Sequence, residues 1–154
     1  MALTSATVSA QSVIQYALGS AAATFNYSAS LAIGGAATTD GSADLLYAKQ
    51  HSIVNGVALS LDLRGSLTQP DGSAAVFVEV TAILIKHISG TGYLTIGGGS
   101  NPIAGVTGFA GVGGFFALSH DAGIATVAGT GDLLQVTSSS GTVVADIIII
   151  GRSA

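Results

Sequence analysis

The sequence contains no cysteine and no tryptophan, and it has very few charged side chains. Without cysteine, the fold has no disulfide and no thiolate ligand for a metal. Charged residues make up 8% of the 154 residues, whereas a soluble domain usually contains about 25%. The basic residues are Lys49, Arg64, Lys86 and Arg152, and the net charge is −4. A basic surface for nucleic acid is therefore not expected.

The few charged side chains are also unevenly distributed. The first of them is Asp40, so the preceding 39 residues carry no charged side chain. Such a stretch makes a poor solvated surface for an isolated monomer. We therefore expect neighbouring subunits or another protein to cover much of it.

The N-terminal sequence MALTSATVSAQSVIQY has no positively charged segment and no continuous apolar segment, so no secretory signal peptide is predicted. No run of about 18 apolar residues occurs, so neither a membrane-spanning helix nor a membrane partner is predicted. The length suits one domain with its own core. We predict a single β-sandwich domain over residues 1–154, with residues 1–20 as a candidate extended arm.

Apolar and polar residues alternate with a period of two along most of the chain, which is typical of half-buried β-strands. The pattern is clear in TFNYSASLAI, residues 24–33, and in GVALSLDLRG, residues 56–65. Turn sequences separate nine to eleven such segments. This spacing predicts an all-β fold, an antiparallel β-sandwich of jelly-roll type. Residues 10–20 are the only segment that tolerates a helix.

Two loop regions need interpretation. Pro70-Asp71-Gly72 predicts a tight turn, because proline presets φ and glycine accepts a positive φ. We expect this turn to join residues 56–65 to a long strand over residues 75–88 as a hairpin. The glycine-rich stretch of residues 104–114 has two interpretations, a loop or a bulged edge strand.

The C-terminal segment TVVADIIII, residues 142–150, is apolar on both faces of the predicted strand. A strand of this kind is buried on both sides. One face packs on the core, and the other needs cover from a further layer of this chain or from another subunit. We favour another subunit, and we expect Arg152 and Ser153 to return the chain to water. The predicted interface consists of Val144, Ile148, Ile150, Phe109, Phe115 and Phe116.

The sequence contains only weak signals for metal binding. Asp40-Gly41-Ser42-Ala43-Asp44 places oxygen ligands at alternate positions, as in a calcium loop. However, Leu45 and His51 stand where such loops have glycine and glutamate, so a polar turn is the better interpretation. The three histidines, His51, His87 and His120, lack metal-ligand spacing. We expect them to be surface or interface residues.

Signals for catalysis are equally weak. Ser100 in GGGSNP lacks the second glycine of a nucleophile turn, and the glycine-rich run lacks the lysine of a phosphate-binding loop. A catalytic carboxylate pair remains open as an alternative, because spacing in the sequence does not report distance in space. We predict a protein that is not an enzyme, with no catalytic, cofactor-binding or metal-binding residues and no cofactor.

Two parts of the chain resemble small virion proteins of tailed bacteriophages. GDLLQV at residues 131–136, the Ser-Gly turn at 138–142 and ADIIIIGRSA at 145–154 are similar to the C-terminal part of that group. LSLDLRGSLTQPDGSAAVFVEVTAILIKHIS, residues 59–89, is similar to its middle part. The resemblance covers about residues 57–96 and 129–154. It implies a capsid decoration protein or a related head or tail component, made in the host cytoplasm and located in the virion.

These observations together predict a structural subunit that forms a homo-oligomer and contacts a major capsid protein or another virion protein. The expected contacts are β-edge pairing and apolar burial. Two alternatives stay open. One is a receptor- or glycan-binding module of a fibre or adhesin, and the other is a surface-filament subunit that donates a strand to its neighbour.

Overall fold

A computed structural model describes the backbone of residues 6–18, 21–33, 43–65 and 67–153, and the side chains of residues 43–65, 67–120 and 122–153. This part of the chain forms strands and no helix, so it has no helix that is long and apolar enough to cross a membrane. The strands are β1 (Ala6–Leu18), β2 (Ala21–Ile33), β3 (Leu45–Val54), β4 (Leu59–Asp62), β5 (Leu67–Thr68), β6 (Ala74–Ala75), β7 (Glu79–Ser89), β8 (Leu94–Ile96), β9 (Gly108–Ala110), β10 (Phe115–Ala125), β11 (Leu133–Ser138) and β12 (Thr142–Arg152).

Eight of these strands form two four-stranded antiparallel sheets, in the orders β10-β7-β12-β3 and β4-β11-β8-β9. Strand β3 pairs with β12, β4 with β11, β7 with β10 and β8 with β9. Among these eight strands, the first along the chain therefore pairs with the last, and the following pairs lie successively inside it. A long hairpin that is wrapped into two sheets has this pairing, and it is the jelly-roll arrangement. The predicted antiparallel sandwich of jelly-roll type is therefore confirmed.

The core lies between the two sheets, which pack face to face without closing into a barrel. Because successive residues of a strand point to opposite faces, β12 contributes every second residue to this core. The fully buried residues of the central strands are Val143, Ala145, Ile147 and Ile149 on β12, Ile83 and Ile85 on β7, Leu134 and Val136 on β11, and Leu94 on β8. Phe77, which precedes β7, is also completely buried.

The predicted hairpin between residues 56–65 and 75–88 is wrong, because β4 and β7 lie in different sheets. The turn itself exists: the Gly72 N–H donates to the Gln69 carbonyl at 2.9 Å, and Gly72 has a φ of +87°. The turn connects β5 to β6, which pair with each other. These two short strands lie in the chain between β4 of one sheet and β7 of the other. Period-two alternation identifies strands but does not say which strands pair.

Several element boundaries also differ from the sequence prediction. Residues 10–18 lie in β1 rather than in a helix, and the glycine-rich stretch contains the edge strand β9. Strand β10 runs through residues 120–123 without a break, and its register with β7 shifts between Ser119 and Ile124. Strand β3 was not predicted, because Lys49, Gln50 and His51 interrupt its alternation.

Strands β1 and β2 form a separate antiparallel ribbon with thirteen residue pairs, from Ala6–Ile33 to Leu18–Ala21. Neither strand joins one of the two four-stranded sheets. The predicted arm of residues 1–20 thus includes the first strand of this ribbon, and residues 1–5 and 19–20 lie outside the described residues.

Candidate interaction surface

The outer face of the sheet β10-β7-β12-β3, on the side away from the core, is apolar at its centre. In the observed register, Ile148 pairs with Leu84 on one side and with Ala48 on the other, and Leu84 pairs with Ala117. The adjacent row places Ile150 between Ala82 and Leu46. We call this surface the outer apolar face, and it consists of Leu46, Ala48, Ala82, Leu84, Ala117, Ile148 and Ile150.

A polar row limits the outer apolar face on one side. Lys86 and Asp146 are directly paired there, and the Gln50 Nε2 donates to Asp146 Oδ1 at 2.9 Å. Phe115 pairs with Lys86 at the end of this row, on the edge strand β10. Its side chain is 48% exposed, so a large apolar group extends the face toward the sheet edge.

The outer face of the second sheet has a different chemistry. Thr95 pairs with Thr137 at its centre, and the Gln135 Nε2 donates to the Ser60 Oγ at 3.2 Å. Hydroxyl and amide groups of this kind are readily solvated. The two sides of the sandwich therefore differ: the outer face of this sheet is polar at its centre, and the outer face of the other sheet is apolar at its centre.

An aromatic pair interrupts the polar face. The rings of Tyr93 and Phe109 have centroids 4.9 Å apart with a tilt of 46°, and the two side chains are 46% and 58% exposed. This geometry is typical of favourable aromatic contacts. Phe109 lies on the edge strand β9, directly paired with Thr95.

The six residues of the predicted interface do not form one patch. Val144 and Ile148 are half-buried and face outward, and Phe115 lies on the same side of the same sheet. Ile150 also faces outward, but it is only 3% exposed because it packs in a small cluster with Ala43 and Ala82. Four of the six residues thus belong to the outer side of one sheet.

The other two predicted residues lie elsewhere. Phe109 is on the outer face of the opposite sheet. Phe116 is half-buried and packs against the core, where its ring lies directly over Gly108. A Cβ at position 108 would overlap the Phe116 Cε2 atom. Phe116 therefore contributes to the packing of its own chain.

Leu84, Ala48 and Ala117 are central to the outer apolar face, but sequence reasoning missed them. Leu84 is one of several apolar residues in EVTAILIKHIS, the sequence of β7, and nothing in that run separates outward from inward positions. Only the register with β12 shows that Leu84 lies beside Ile148.

The free edges of both sheets have features that oppose pairing with another strand. Strands β4 and β9 contain four and three residues, and β10 has an irregular register at Ser119. Edge strand β3 is long, but Lys49 lies on its core-facing side, because it pairs with the buried Ile147. Short edges, irregularities and inward-facing charges are known to prevent edge-to-edge association.

Beside Lys49, the Tyr47 hydroxyl and the His51 Nε2 are hydrogen bonded at 2.7 Å. Partial burial, followed by the charge of Lys49, holds the pKa of His51 below its usual value. Burial also raises the pKa of Tyr47. His51 is therefore neutral near pH 7, and the pair has no third partner that would make a catalytic triad in the described chain.

The remaining candidate ligands are dispersed. His87 is buried, and its Nε2 donates to the Gly92 carbonyl at 2.9 Å, so the expectation of surface or interface histidines is wrong for this residue.

Asp40, Gly41 and Ser42 of the candidate calcium loop lie outside the described residues, and Asp44 accepts hydrogen bonds from the Ser153 backbone and hydroxyl. Among the described residues, no three His, Cys, Asp or Glu side chains group as metal ligands would.

Arg152 does not return the chain to water. Its side chain is 4% exposed, its Nη2 lies 2.7 Å from the Glu79 Oε2, and it also donates to the Ala122 carbonyl. Burial of an arginine requires such partners. The ion pair holds the end of β12 against the start of β7, and the hydrogen bond to Ala122 holds it against the irregular part of β10.

Comparisons with protein-family models, with curated proteins and with solved structures give no match for this chain.

Proposed function

We propose that the chain is a non-catalytic structural subunit of a phage particle, which self-associates and decorates or reinforces the capsid. The observation that supports this proposal is the difference between the two outer faces. Burial of apolar surface stabilises association by about 25 cal/mol per Å². A subunit with one apolar and one polar side is therefore suited to lie against a neighbour and to face solvent with the other side.

The assignment to a phage particle depends on the resemblance of residues 57–96 and 129–154 to virion proteins. Jelly-roll sandwiches occur in viral capsid proteins, but they also occur in lectins and cupins. The fold by itself therefore leaves the function open. The proposed partners are further copies of this chain and a major capsid protein or another virion protein.

The proposed contact is made by the outer apolar face more than by strand edges. Lys49 on β3, the irregularity at Ser119 and the shortness of β4 and β9 all disfavour pairing at the edges. These features also argue against a filament subunit that accepts a strand at its edge. Ile148 and Leu84, by contrast, pair within a row that contains no charged residue.

The test is the native mass of the protein, measured by light scattering across a dilution series, for the wild type and two variants. Leu84→Glu introduces a charge at the centre of the outer apolar face. Thr95→Glu introduces the same charge at the centre of the polar face of the other sheet. We expect a discrete oligomer for the wild type and for Thr95→Glu, and a folded monomer for Leu84→Glu.

Two results contradict this proposal. If Leu84→Glu retains the wild-type oligomer, the outer apolar face does not mediate association. If the wild type is a monomer at every concentration and does not co-sediment with capsid shells, the role as a particle subunit is wrong. Circular dichroism spectra of the variants show whether each remains folded.

A second candidate function is receptor or glycan binding, favoured by the exposed Tyr93–Phe109 pair. Aromatic rings on a polar surface are suited to stack on the apolar faces of sugars. The test is a glycan array with the wild type and Phe109→Ala. Reproducible binding that Phe109→Ala abolishes supports this function, and an array without signal contradicts it.

A further inference from the structure

The exposed large apolar side chains of the sandwich are concentrated at one of its ends. Nine such side chains are exposed in the described part of the chain. Six of them lie on or beside the loops at the end where β3, β7 and β9 finish, and we call these six the apolar tip: Val54, Val57, Ile88, Tyr93, Phe109 and Val112. Phe115 lies next to them at the start of β10, whereas Val76 and Val127 lie at the opposite end.

The strand register brings the loops of the apolar tip together. These loops are residues 55–58, 90–93, 111–114 and 139–141. The Asn55 N–H donates to the Gly141 carbonyl at 2.7 Å, and the Ser139 N–H donates to the Tyr93 carbonyl at 3.0 Å. The Tyr93 N–H in turn donates to the Ser139 Oγ at 3.0 Å. These backbone polar groups are thus paired within the protein, as contact with an apolar phase requires.

The apolar tip is also the uncharged end of the described sandwich. Residues 52–61, 88–119 and 133–145, which include its loops and the adjoining strand ends, contain no charged side chain and no histidine. Six charged residues lie at the opposite end, where β3 begins and β12 finishes: Asp44, Asp62, Arg64, Glu79, Asp132 and Arg152. Lys86 and Asp146, which pair with each other, lie between the two ends. The sandwich is therefore polarised along its length.

The charged end is too distant to act on the apolar tip through water. Strand β12 runs between the two ends with eleven residues, a length of about 35 Å, whereas the Debye length at physiological ionic strength is about 8 Å. The described chain also enters and leaves the sandwich at the charged end, where the Ser153 N–H donates to Asp44. The apolar tip is therefore the end that points away from both connections.

The composition and shape of the apolar tip favour a lipid surface over a protein surface. The residues that dominate protein–protein contacts are mainly Trp, Tyr and Arg, and valine is under-represented among them. The apolar tip has three valines, one isoleucine, one phenylalanine and one tyrosine. Its side chains project from separate loops, so a folded partner would need a matching hollow for each, whereas fluid acyl chains pack around projecting groups. Tyrosine is also enriched at the boundary between acyl chains and water.

We propose that the apolar tip inserts into the surface of a phospholipid bilayer, to the interfacial depth of about 5–10 Å, while the charged end stays in water. This inference goes beyond the role in a particle and does not depend on it. The sequence predicted no membrane partner because it has no long apolar run. A contact made by separate loops leaves no such run, since its residues become neighbours only in the folded chain.

The sequence has no tryptophan, so a single introduced tryptophan reports on its own surroundings. Val112→Trp places it at the apolar tip, and Val127→Trp places it at a similarly exposed residue of the opposite end. Each full-length variant is mixed with phosphatidylcholine vesicles, with and without brominated acyl chains. We expect a blue-shifted emission that the brominated chains quench for Val112→Trp, and an unchanged emission for Val127→Trp. Equal behaviour of the two variants overturns the proposal.

Flotation with the same vesicles, without any tryptophan, shows whether the natural side chains bind. Val57→Asp introduces a charge at the apolar tip, and Val127→Asp introduces the same charge at the opposite end. The wild type and Val127→Asp should float with the vesicles, and the affinity of Val57→Asp should be about tenfold lower or less, because a charge is costly to bring into a bilayer. Circular dichroism spectra show whether both variants are folded. No flotation of the wild type, or equal affinity of the three proteins, contradicts insertion of the tip.

The same assay separates a lipid ligand from a sugar. Phosphatidylcholine carries no sugar, so flotation with these vesicles does not depend on glycan recognition. Binding only to vesicles that contain a glycolipid, with loss of that binding in Phe109→Ala, would identify the sugar as the ligand and overturn the proposal. Leu84→Glu alters the outer apolar face and not the apolar tip, so it should float as the wild type does, whatever its oligomeric state.

Discussion

Leu84 on β7 and Ile148 on β12 are directly paired at the centre of a four-stranded sheet and lie on the side away from the core. Both are half-buried, and alanines pair with them on either side. The strand that contributes Ile147 and Ile149 to the core thus presents Ile148 to the opposite side. This arrangement explains why the C-terminal segment is apolar on both faces.

Replacement of Ile148 by threonine tests the contribution of one side chain to self-association. The change keeps the β-branch and replaces the ethyl group on Cβ by a hydroxyl, so strand formation is maintained. We expect self-association to weaken by about tenfold, which corresponds to about 1.4 kcal/mol. Sedimentation velocity measures the change. Val127→Thr, at a residue that is 56% exposed outside this face, should leave the association constant unaltered.

Gly108 and Gly111 give a matched pair for core packing around Phe116. A Cβ at Gly108 would overlap the Phe116 ring, whereas a Cβ at Gly111 would lie 3.6 Å from the Phe109 Cε1, an ordinary contact. We expect Gly108→Ala to lower the free energy of unfolding by about 1–3 kcal/mol and Gly111→Ala to change it little. Urea unfolding measures both values, and equal effects would show that Phe116 moves away without cost.

The ion pair between Arg152 and Glu79 should contribute to stability because the arginine is buried. Glu79→Ala removes a charged hydrogen-bond partner from Arg152, and we expect a loss of about 2 kcal/mol in the free energy of unfolding. Asp146→Ala is the comparison, since the bond of Asp146 to Gln50 is exposed and such surface changes are usually within about 0.5 kcal/mol. Thermal or urea unfolding of both variants measures the two losses of unfolding free energy. A larger loss for Glu79→Ala would show that burial strengthens the contribution of the ion pair.

The lowered pKa of His51 predicts a dependence of stability on pH. The folded state favours the neutral imidazole, because burial and then Lys49 disfavour its charged form. This contribution is fully present above the unfolded pKa of 6.5 and is lost as the pH falls through 6.5 toward the lower folded pKa. The melting temperature of the wild type should therefore decrease from pH 7 to about pH 5.

The variant His51→Gln should lose this part of the pH dependence, because glutamine does not titrate. Lys49→Gln should reduce it without abolishing it, since burial is the larger cause of the lowered pKa. The pKa of Asp71 is lowered from 3.8 by hydrogen bonds from Ser73, so its effect falls below this pH window. An unchanged slope between pH 5 and 7 in His51→Gln would contradict the assignment to this histidine.

Much of the fold was predictable because alternation with a period of two is a local property of the chain. It identified β2, β4 and β12, and it also indicated that β12 has two apolar faces. The turn at Pro70-Asp71-Gly72 was predictable for the same reason, since proline and glycine set backbone angles locally. Strand β3 was missed because Lys49 and His51 occupy core-facing positions at a sheet edge, where the sandwich opens to water.

The sequence by itself determined that the chain forms strands and that its terminal strand needs cover on both sides, because these properties follow from neighbouring residues. Only the tertiary structure decided that β3 and β7 flank β12, which brings Leu84 and Ala48 beside Ile148. It also decided that Phe116 packs inward over Gly108 and that Arg152 pairs with Glu79. Such contacts join residues that are distant in the chain, and a local pattern does not specify which strands become neighbours.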